Sequence, residues 1–249
     1  MINLIISIIA GALAWGGCLL IFDSPWTGIW VFIPVLAIVF FILNRRTMKK
    51  IQAIMGSVEQ MMQNVQSLPS EMARTHLIDK AIEQLKTAYR YKNYQFGLAS
   101  NIDAQIGMFY YVQSRFKEAE PYLANAFPQN WIAVAMYGCL LYRKDDIDGM
   151  KRAFDRAIKY SRKQPMLYNL YAWCLLEKKQ RDAAIKVLND GLTYNAGDET
   201  TKENLNLIKN SGKIKMRGYS MQWYQFLLEK PPAQQLMAQF AQRPGFRNH

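Results

Sequence analysis

The chain has 249 residues with a formal net charge of +12, and its 51% hydrophobic and 13% aromatic content excludes a disordered chain. Three cysteines with no CxxC pair, and two histidines, His76 and His249, argue against a disulfide framework or a zinc site. The charge is unevenly placed: Asp23 is the one charged side chain in residues 1–44, so all 31 Lys and Arg lie beyond Asn44.

Leu4 to Phe22 is apolar except for Ser7, and at about 1.5 Å per residue it nearly matches a hydrocarbon core roughly 30 Å thick. The turn Asp23-Ser24-Pro25-Trp26-Thr27-Gly28 leads to a second apolar run, Ile29 to Leu43, which stops at Asn44-Arg45-Arg46 and Lys49-Lys50. Residues 1–44 therefore predict a tight transmembrane helical hairpin, because backbone polar groups in lipid must be satisfied within the helices. Trp26 and Trp30 suit the interface at the turn. Arg45, Arg46, Lys49 and Lys50 are membrane-surface cations that should stay cytoplasmic, placing both termini and the rest of the chain there, as in a bacterial inner-membrane protein with two spans. Ser7, Ala10, Ala14 and Gly17 form a stripe of small residues for the second helix or for another membrane protein. A cleavable signal peptide fits less well, since Met1-Ile2-Asn3 has no charged side chain and a second span follows. A lipoprotein site at Cys18 would put Trp15 where an aliphatic residue belongs.

Residues 45–69 read as a basic juxtamembrane helix and hinge. Met48, Ile51, Met55, Val58, Met62 and Val65 recur at alternating spacings of three and four, which gives a narrow apolar seam. The seam either packs on the chain's own soluble part or makes a homo-oligomer through residues 48–65. Leu68-Pro69-Ser70 interrupts the helix. In residues 70–99, Leu77, Ala81, Leu85 and Ala88, with Ile78, Ile82 and Tyr89, predict a capping helix from about 71 to 90.

Compared with itself at an offset of 34, the chain places Tyr137-Gly138, Leu141, Met150, Phe154 and Ala157 opposite Tyr171-Ala172, Leu175, Ala184, Leu188 and Gly191. Ile106-Gly107, Tyr110, Ala119, Leu123 and Ala126 repeat the same order 31 residues earlier. Small residues at these places let paired helices approach closely, and bulky ones fill the gaps. In these residues the chain resembles the tetratricopeptide repeat (TPR) family, with its W-x2-L-G-x2-Y and A-x3-F-x2-A pattern, over 100–198. It departs from the pattern at Met150, exchanges Gly and Ala at Ala172 and Gly191, and lacks the closing Pro. The resemblance implies an all-α fold: the hairpin, then an α-solenoid of about three TPR-like helix pairs (100–130, 131–164, 165–198) with capping helices. Pro165 suits the first turn of a helix. Residues 199–249 supply a short helix with Leu205 and Ile208, a break at Ser211-Gly212, and an aromatic helix. That helix, with Met221, Trp223, Tyr224, Phe226, Leu227 and Leu228, stops at Pro231-Pro232 and serves as a C-terminal cap or as a docking segment for another protein.

In this family the first helices of successive repeats line a concave groove. Transferred position by position, the resemblance places Asn101, Ala104, Met108, Tyr111 and Val112 there from the first repeat. The second supplies Ile132, Ala135, Cys139, Tyr142 and Arg143, and the third Met166, Asn169, Trp173, Leu176 and Glu177. Such a trough implies an unidentified protein or peptide partner, anchored on Tyr111, Tyr142 and Trp173, with Asn169 and Arg143 setting register. The chain's own caps, or residues 48–67, are the rival occupants. A clamp for a chaperone's C-terminal carboxylate is missing, since Ala104, Met108, Met136, Met166 and Leu170 stand at those positions.

Arg152, Arg156, Lys159 and Lys163, spaced four, three and four apart, form a basic stripe facing solvent, acidic partners or an anionic leaflet. No nucleic-acid module accompanies it. Neither histidine has a nucleophile at a recognisable spacing, Asn210-Ser211-Gly212-Lys213 fails the phosphate-loop pattern at both ends, and Asp145, Asp146 and Asp148 lack the other ligands of a calcium loop. No catalytic residue, metal or cofactor is expected. The expected function is a membrane-anchored TPR-like scaffold or adaptor. The alternative is a peripheral protein that engages anionic lipid, or self-assembles, through its basic surface and Met-rich helix.

Overall fold

The computed structural model describes residues 2–22, 25–65, 67–219 and 221–231, and these form helices joined by turns, with no strand among the described residues. Asp23, Ser24, His249 and Pro232 lie outside the described residues. Contacts divide the chain into two compact units, Met1–Phe109 and Tyr110–His249.

In the first unit, α1 (Ile2–Phe22) and α2 (Pro25–Val65) run antiparallel along each other. The turn is shorter than residues 23–28, because Pro25 opens α2, where its missing N–H is no loss. The packing face of α1 is Asn3, Ser7 and Gly11, four residues apart and all buried, whereas Gly17 faces open space. The expected small-residue stripe therefore ends short of Gly17. Asn3 Nδ2 donates to Thr47 Oγ1 at 3.2 Å, and the Ser7 hydroxyl turns back to the Asn3 carbonyl at 2.6 Å, so the buried polar atoms are paired. A Cβ on Gly28 would lie 1.7 Å from the Trp15 ring, so a side chain there would displace it. Nothing breaks the helix at the basic cluster, and the expected span and juxtamembrane helix are one continuous rod through Val65.

Beyond the exposed cations Arg45, Arg46, Lys49 and Lys50, the buried side chains of α2 are Ile51, Ile54 and Val58. Helix α3 (Glu71–Lys86), entered through the Pro69 turn, packs on α2 with Ile78, Ala81, Ile82 and Leu85 buried. The seam thus has a partner within the chain, the α3 segment expected to cap the repeats. The last turn of that segment is a 3₁₀ helix, Thr87–Tyr91, rather than α-helix. Helix α4 (Leu98–Val112) runs across the division between the units.

The second unit continues with α5 (Phe116–Ala124), α6 (Trp131–Arg143), α7 (Ile147–Tyr160), α8 (Pro165–Glu177), α9 (Arg181–Tyr194) and α10 (Glu199–Lys209). Helices α6 and α7 pair, α8 and α9 pair, and α10 packs on α9. Three inter-helix turns share one backbone design. Ser114, Asp145 and Lys179 have φ of 60°, 64° and 59°, and the next residue's N–H bonds five back, as Arg115 to Tyr110 O, Asp146 to Leu141 O and Gln180 to Leu175 O. That is a Schellman closure, built with non-glycine residues in the left-handed region, at the same 31- and 34-residue offsets as the sequence repeat. Asp146 then caps α7 by accepting from Gly149 N at 2.8 Å, so the acidic turn serves helix ends.

The small residues act as expected. A Cβ on Gly138 would come within 2.8 Å of the Phe154 ring, and that ring stacks on Tyr171 at 4.8 Å. Gly191 similarly lies under Tyr168, whose Cγ would be 2.9 Å from an added Cβ. After α10 the break falls where Ser211 has φ 61° and Gly212 N bonds Leu207 O at 2.7 Å. The expected aromatic helix is reduced to one turn, α11 (Met221–Tyr224), preceded by a short 3₁₀ turn, Arg217–Tyr219.

Two substitutions test the turn and the stacking. Gly138→Ala should lower stability by about 1–3 kcal/mol through overpacking against Phe154. Lys179→Gly should raise it by about 1 kcal/mol by removing a left-handed Cβ clash. Urea unfolding followed by circular dichroism reads both, and midpoints equal to the parent's would contradict the scheme.

Candidate functional site

The face shared by α6 and α8 brings together many of the residues assigned to the groove, and it is occupied. The segment following α10 lies against it, with Trp223 1% and Phe226 0% exposed. Trp223 meets Trp173 edge-on at 5.4 Å, Trp173 meets Tyr142 at 5.8 Å, and Phe226 lies 6.5 Å from Trp131. Main-chain carbonyls of the segment are captured as well: the Tyr111 hydroxyl donates to Phe226 O at 2.6 Å, and the Arg143 guanidinium donates to Leu227 O. Leu227 takes φ 52°, which turns the chain at this point. The expected open trough is therefore corrected in favour of its rival, the chain's own C-terminal cap. The aromatic anchors hold that segment, and ring seating and carbonyl capture stand in place of the full Met221–Leu228 helix that the sequence predicts.

Asn169, fully buried, anchors the start of the same segment. Its Nδ2 lies 2.7 Å from both the Tyr219 hydroxyl and Thr201 Oγ1, and its Oδ1 accepts from Asn204 at 2.8 Å. Asn204 Oδ1 in turn accepts the Lys215 N–H at 2.7 Å, and the Tyr219 hydroxyl donates to Asp198, the cap of α10, at 3.0 Å. A buried amide with each function paired specifies geometry as well as adding stability.

The other assigned residues divide clearly. Ile132 is half-buried on the first turn of α6, and Glu177 is exposed at the end of α8. Asn101 and Met108 belong to the first unit; Asn101 is exposed, its side-chain amide donating to Gly97 O at 3.1 Å, and Met108 is half-buried. Missing from the sequence-derived set are Trp131 and Tyr219; Trp223 and Phe226 are cap residues on the sequence reading, from the density of aromatics after α10, and the caps are a rival occupant of the groove.

The electrostatics favour neutral, protonated groups. Burial pushes the Tyr111 phenol far above its ordinary range, and burial does the same for Tyr219. Burial, with the neighbouring Cys139 thiol, holds the Cys174 thiol well above the usual cysteine range, so it stays protonated at neutral pH. The basic stripe is uneven: Arg152, Lys159 and Lys163 are exposed, but Arg156 turns inward, with both terminal nitrogens 3.4 Å from Ala124 O.

No protein-family model matches the chain, and no curated protein is significantly similar to it.

Trp223→Ala should lower stability by about 3–5 kcal/mol, the range for emptying a buried Trp site. Chemical denaturation of the detergent-solubilised protein measures it, and a loss below about 1 kcal/mol, typical of surface positions, would show the segment is not seated.

Proposed function

We propose that this chain is a membrane-anchored interaction module of TPR-like helix pairs, acting by binding rather than turnover, whose groove holds an aromatic peptide. The carrying observation is the paired capture of two successive carbonyls, Phe226 O by Tyr111 and Leu227 O by Arg143, beside two aromatic side chains buried to 1% and 0%. Main-chain capture with side-chain pockets is a peptide-recognition arrangement. In the resting protein the occupant is the chain's own segment, and a partner with aromatic residues three apart, like Trp223 and Phe226, would take its place.

The anchor reading rests on the first two helices, each long and apolar enough to cross a membrane. Leu13, Leu20, Trp30 and Ile33 are 73%, 89%, 81% and 59% exposed, a surface that water would penalise and lipid would not. Helix α2 has 41 residues, about 60 Å at its rise, twice a roughly 30 Å core. Its first half would span the membrane and its second half would project beyond Arg45 and Arg46, carrying α3. With the cation cluster held at the cytoplasmic face, α3 and the helices after it would lie in the cytoplasm, as in a bacterial inner-membrane protein. The lipid-engaging alternative keeps the exposed cations Arg152, Lys159 and Lys163 but not Arg156, and self-assembly through residues 48–65 would compete with α3 for Ile51 and Val58.

Single cysteines introduced at Lys92 and Lys186 should react with an impermeant maleimide only after the cytoplasmic side is opened; labelling of intact cells would reverse the orientation. For the groove, a labelled peptide of residues 213–231 should bind full-length Trp223→Ala/Phe226→Ala in micelles with micromolar affinity, and bind the unaltered protein at least about a hundredfold more weakly. If the double variant is folded by circular dichroism and takes up no peptide, the groove reading fails.

A further inference from the structure

A second hollow lies on the opposite side of α8 from Asn169 and Trp173. It occupies about 420 Å³ between α7, α8 and α9, within the size range of small-molecule sites. Tyr168 lines it and is 1% exposed, seated on Gly191, yet its hydroxyl has no hydrogen-bond partner among the described residues. A buried hydroxyl without a partner costs stability, and a ligand atom in the hollow would complete it.

The charged groups around it are also incompletely used. Lys159 and Arg162 line the hollow, and neither makes an ion pair among the described residues. The Arg162 guanidinium rests 5.3 Å from the centre of the Tyr194 ring, which holds it at the wall. Asp155 lies near the Tyr171 hydroxyl, and Asp190 on α9 makes no ion pair among the described residues. A neighbouring depression at the α7–α8 turn shares Lys159 and Arg162 and adds Lys163. The cations therefore stand where the two hollows join, and the free carboxylate stands on the α9 wall. A simple anion would leave Asp190 uncompensated, and a simple amine would leave the cations so.

We propose that this hollow binds a phosphate ester that carries a primary amine, with phosphate on Lys159, Arg162 and the Tyr168 hydroxyl, and the amine on Asp190 beside the tyrosine rings. A phospholipid headgroup and a soluble phosphoamine share this chemistry. The site does not depend on the groove, and its failure would leave the groove reading intact.

The test is calorimetric titration of the full chain in maltoside micelles with O-phosphoethanolamine, inorganic phosphate and ethanolamine. Saturable binding of O-phosphoethanolamine is expected, at least about fivefold tighter than either fragment. Tyr168→Phe keeps the ring on Gly191 and removes only the unpartnered hydroxyl. It should melt at the parent temperature or above while binding about tenfold more weakly, the loss of one hydrogen bond to a charged group. Arg162→Ala should abolish binding, and Asp190→Asn should erase the preference over inorganic phosphate. Absence of saturable binding by the parent, or unchanged binding by Tyr168→Phe and Arg162→Ala, overturns the proposal. Repeating the titration in nanodiscs separates the sources. Competition by phosphatidylethanolamine but not phosphatidylglycerol assigns the site to lipid, and undiminished binding in both assigns it to a soluble ligand.

Discussion

A helix pair cannot bury its own apolar faces, and most of this chain's packing follows from that constraint. Pairing of α6 with α7, and of α8 with α9, is possible because Gly138 and Gly191 admit the Phe154 and Tyr168 rings at distances no Cβ could tolerate. The pairs then leave a second face, where Trp131, Tyr142 and Trp173 would meet water. The segment after α10 covers it. In the first unit, Ile51, Ile54 and Val58 would be exposed on a rod extending beyond the basic cluster, and α3 covers them. Apart from scattered side chains such as Met72 and Phe96, what stays uncovered among the described residues is the outer surface of α1 and the first half of α2, and it is long, continuous and nearly free of charge. Where the other contiguous apolar faces find protein, that exception is the physical argument for lipid.

The polar groups follow the same economy. Asn3, Ser7, Asn169, Thr201 and Asn204 are buried, and each has a hydrogen-bond partner at 2.5–3.2 Å. Against that background the unpaired Tyr168 hydroxyl stands out. It sits in a hollow lined by two cations outside any ion pair among the described residues, whereas the other buried atom without a partner, Arg156 Nε, lies away from this hollow.

Much of the helical framework was legible in the sequence because it is written as local periodicity. The 34-residue offset placed Gly138, Phe154 and Ala157 correctly in the core, and Ser211-Gly212 marked the end of α10. Periodicity identifies a face but not what covers it, and the differences lie there. The seam of Ile51 and Val58 read equally well as an oligomer contact, and its partner is α3. The stripe through Gly17 counted small residues, whereas the helices chose Asn3, Ser7 and Gly11, because a polar pair with Thr47 fixes the register. The positions implied by the resemblance brought Tyr111, Arg143, Asn169 and Trp173 to one surface without deciding between its rival occupants. Met221 to Leu228 has the composition of a helix, and only the placement of Tyr111 and Arg143 explains why its carbonyls are satisfied from outside.

An occupied groove sets a quantitative condition on any partner. The docked segment is joined to α10 by a short connection, so its effective concentration at the groove is of millimolar order. A competing peptide sees only the fraction of molecules whose groove is empty, and its apparent affinity falls by that fraction. If the segment's own affinity were micromolar, the empty fraction would be about one in a thousand, and a partner with intrinsic micromolar affinity would need millimolar concentration to compete. Useful binding would therefore require a tighter partner, or one that shares a membrane with this chain. Tethering to one bilayer would confine both proteins to a thin layer and raise their mutual concentration, offsetting part of the deficit. On the proposed reading, an anchor and a self-filled groove would be linked energetically: the first would make the second workable for a membrane-bound partner while disfavouring aromatic peptides free in solution.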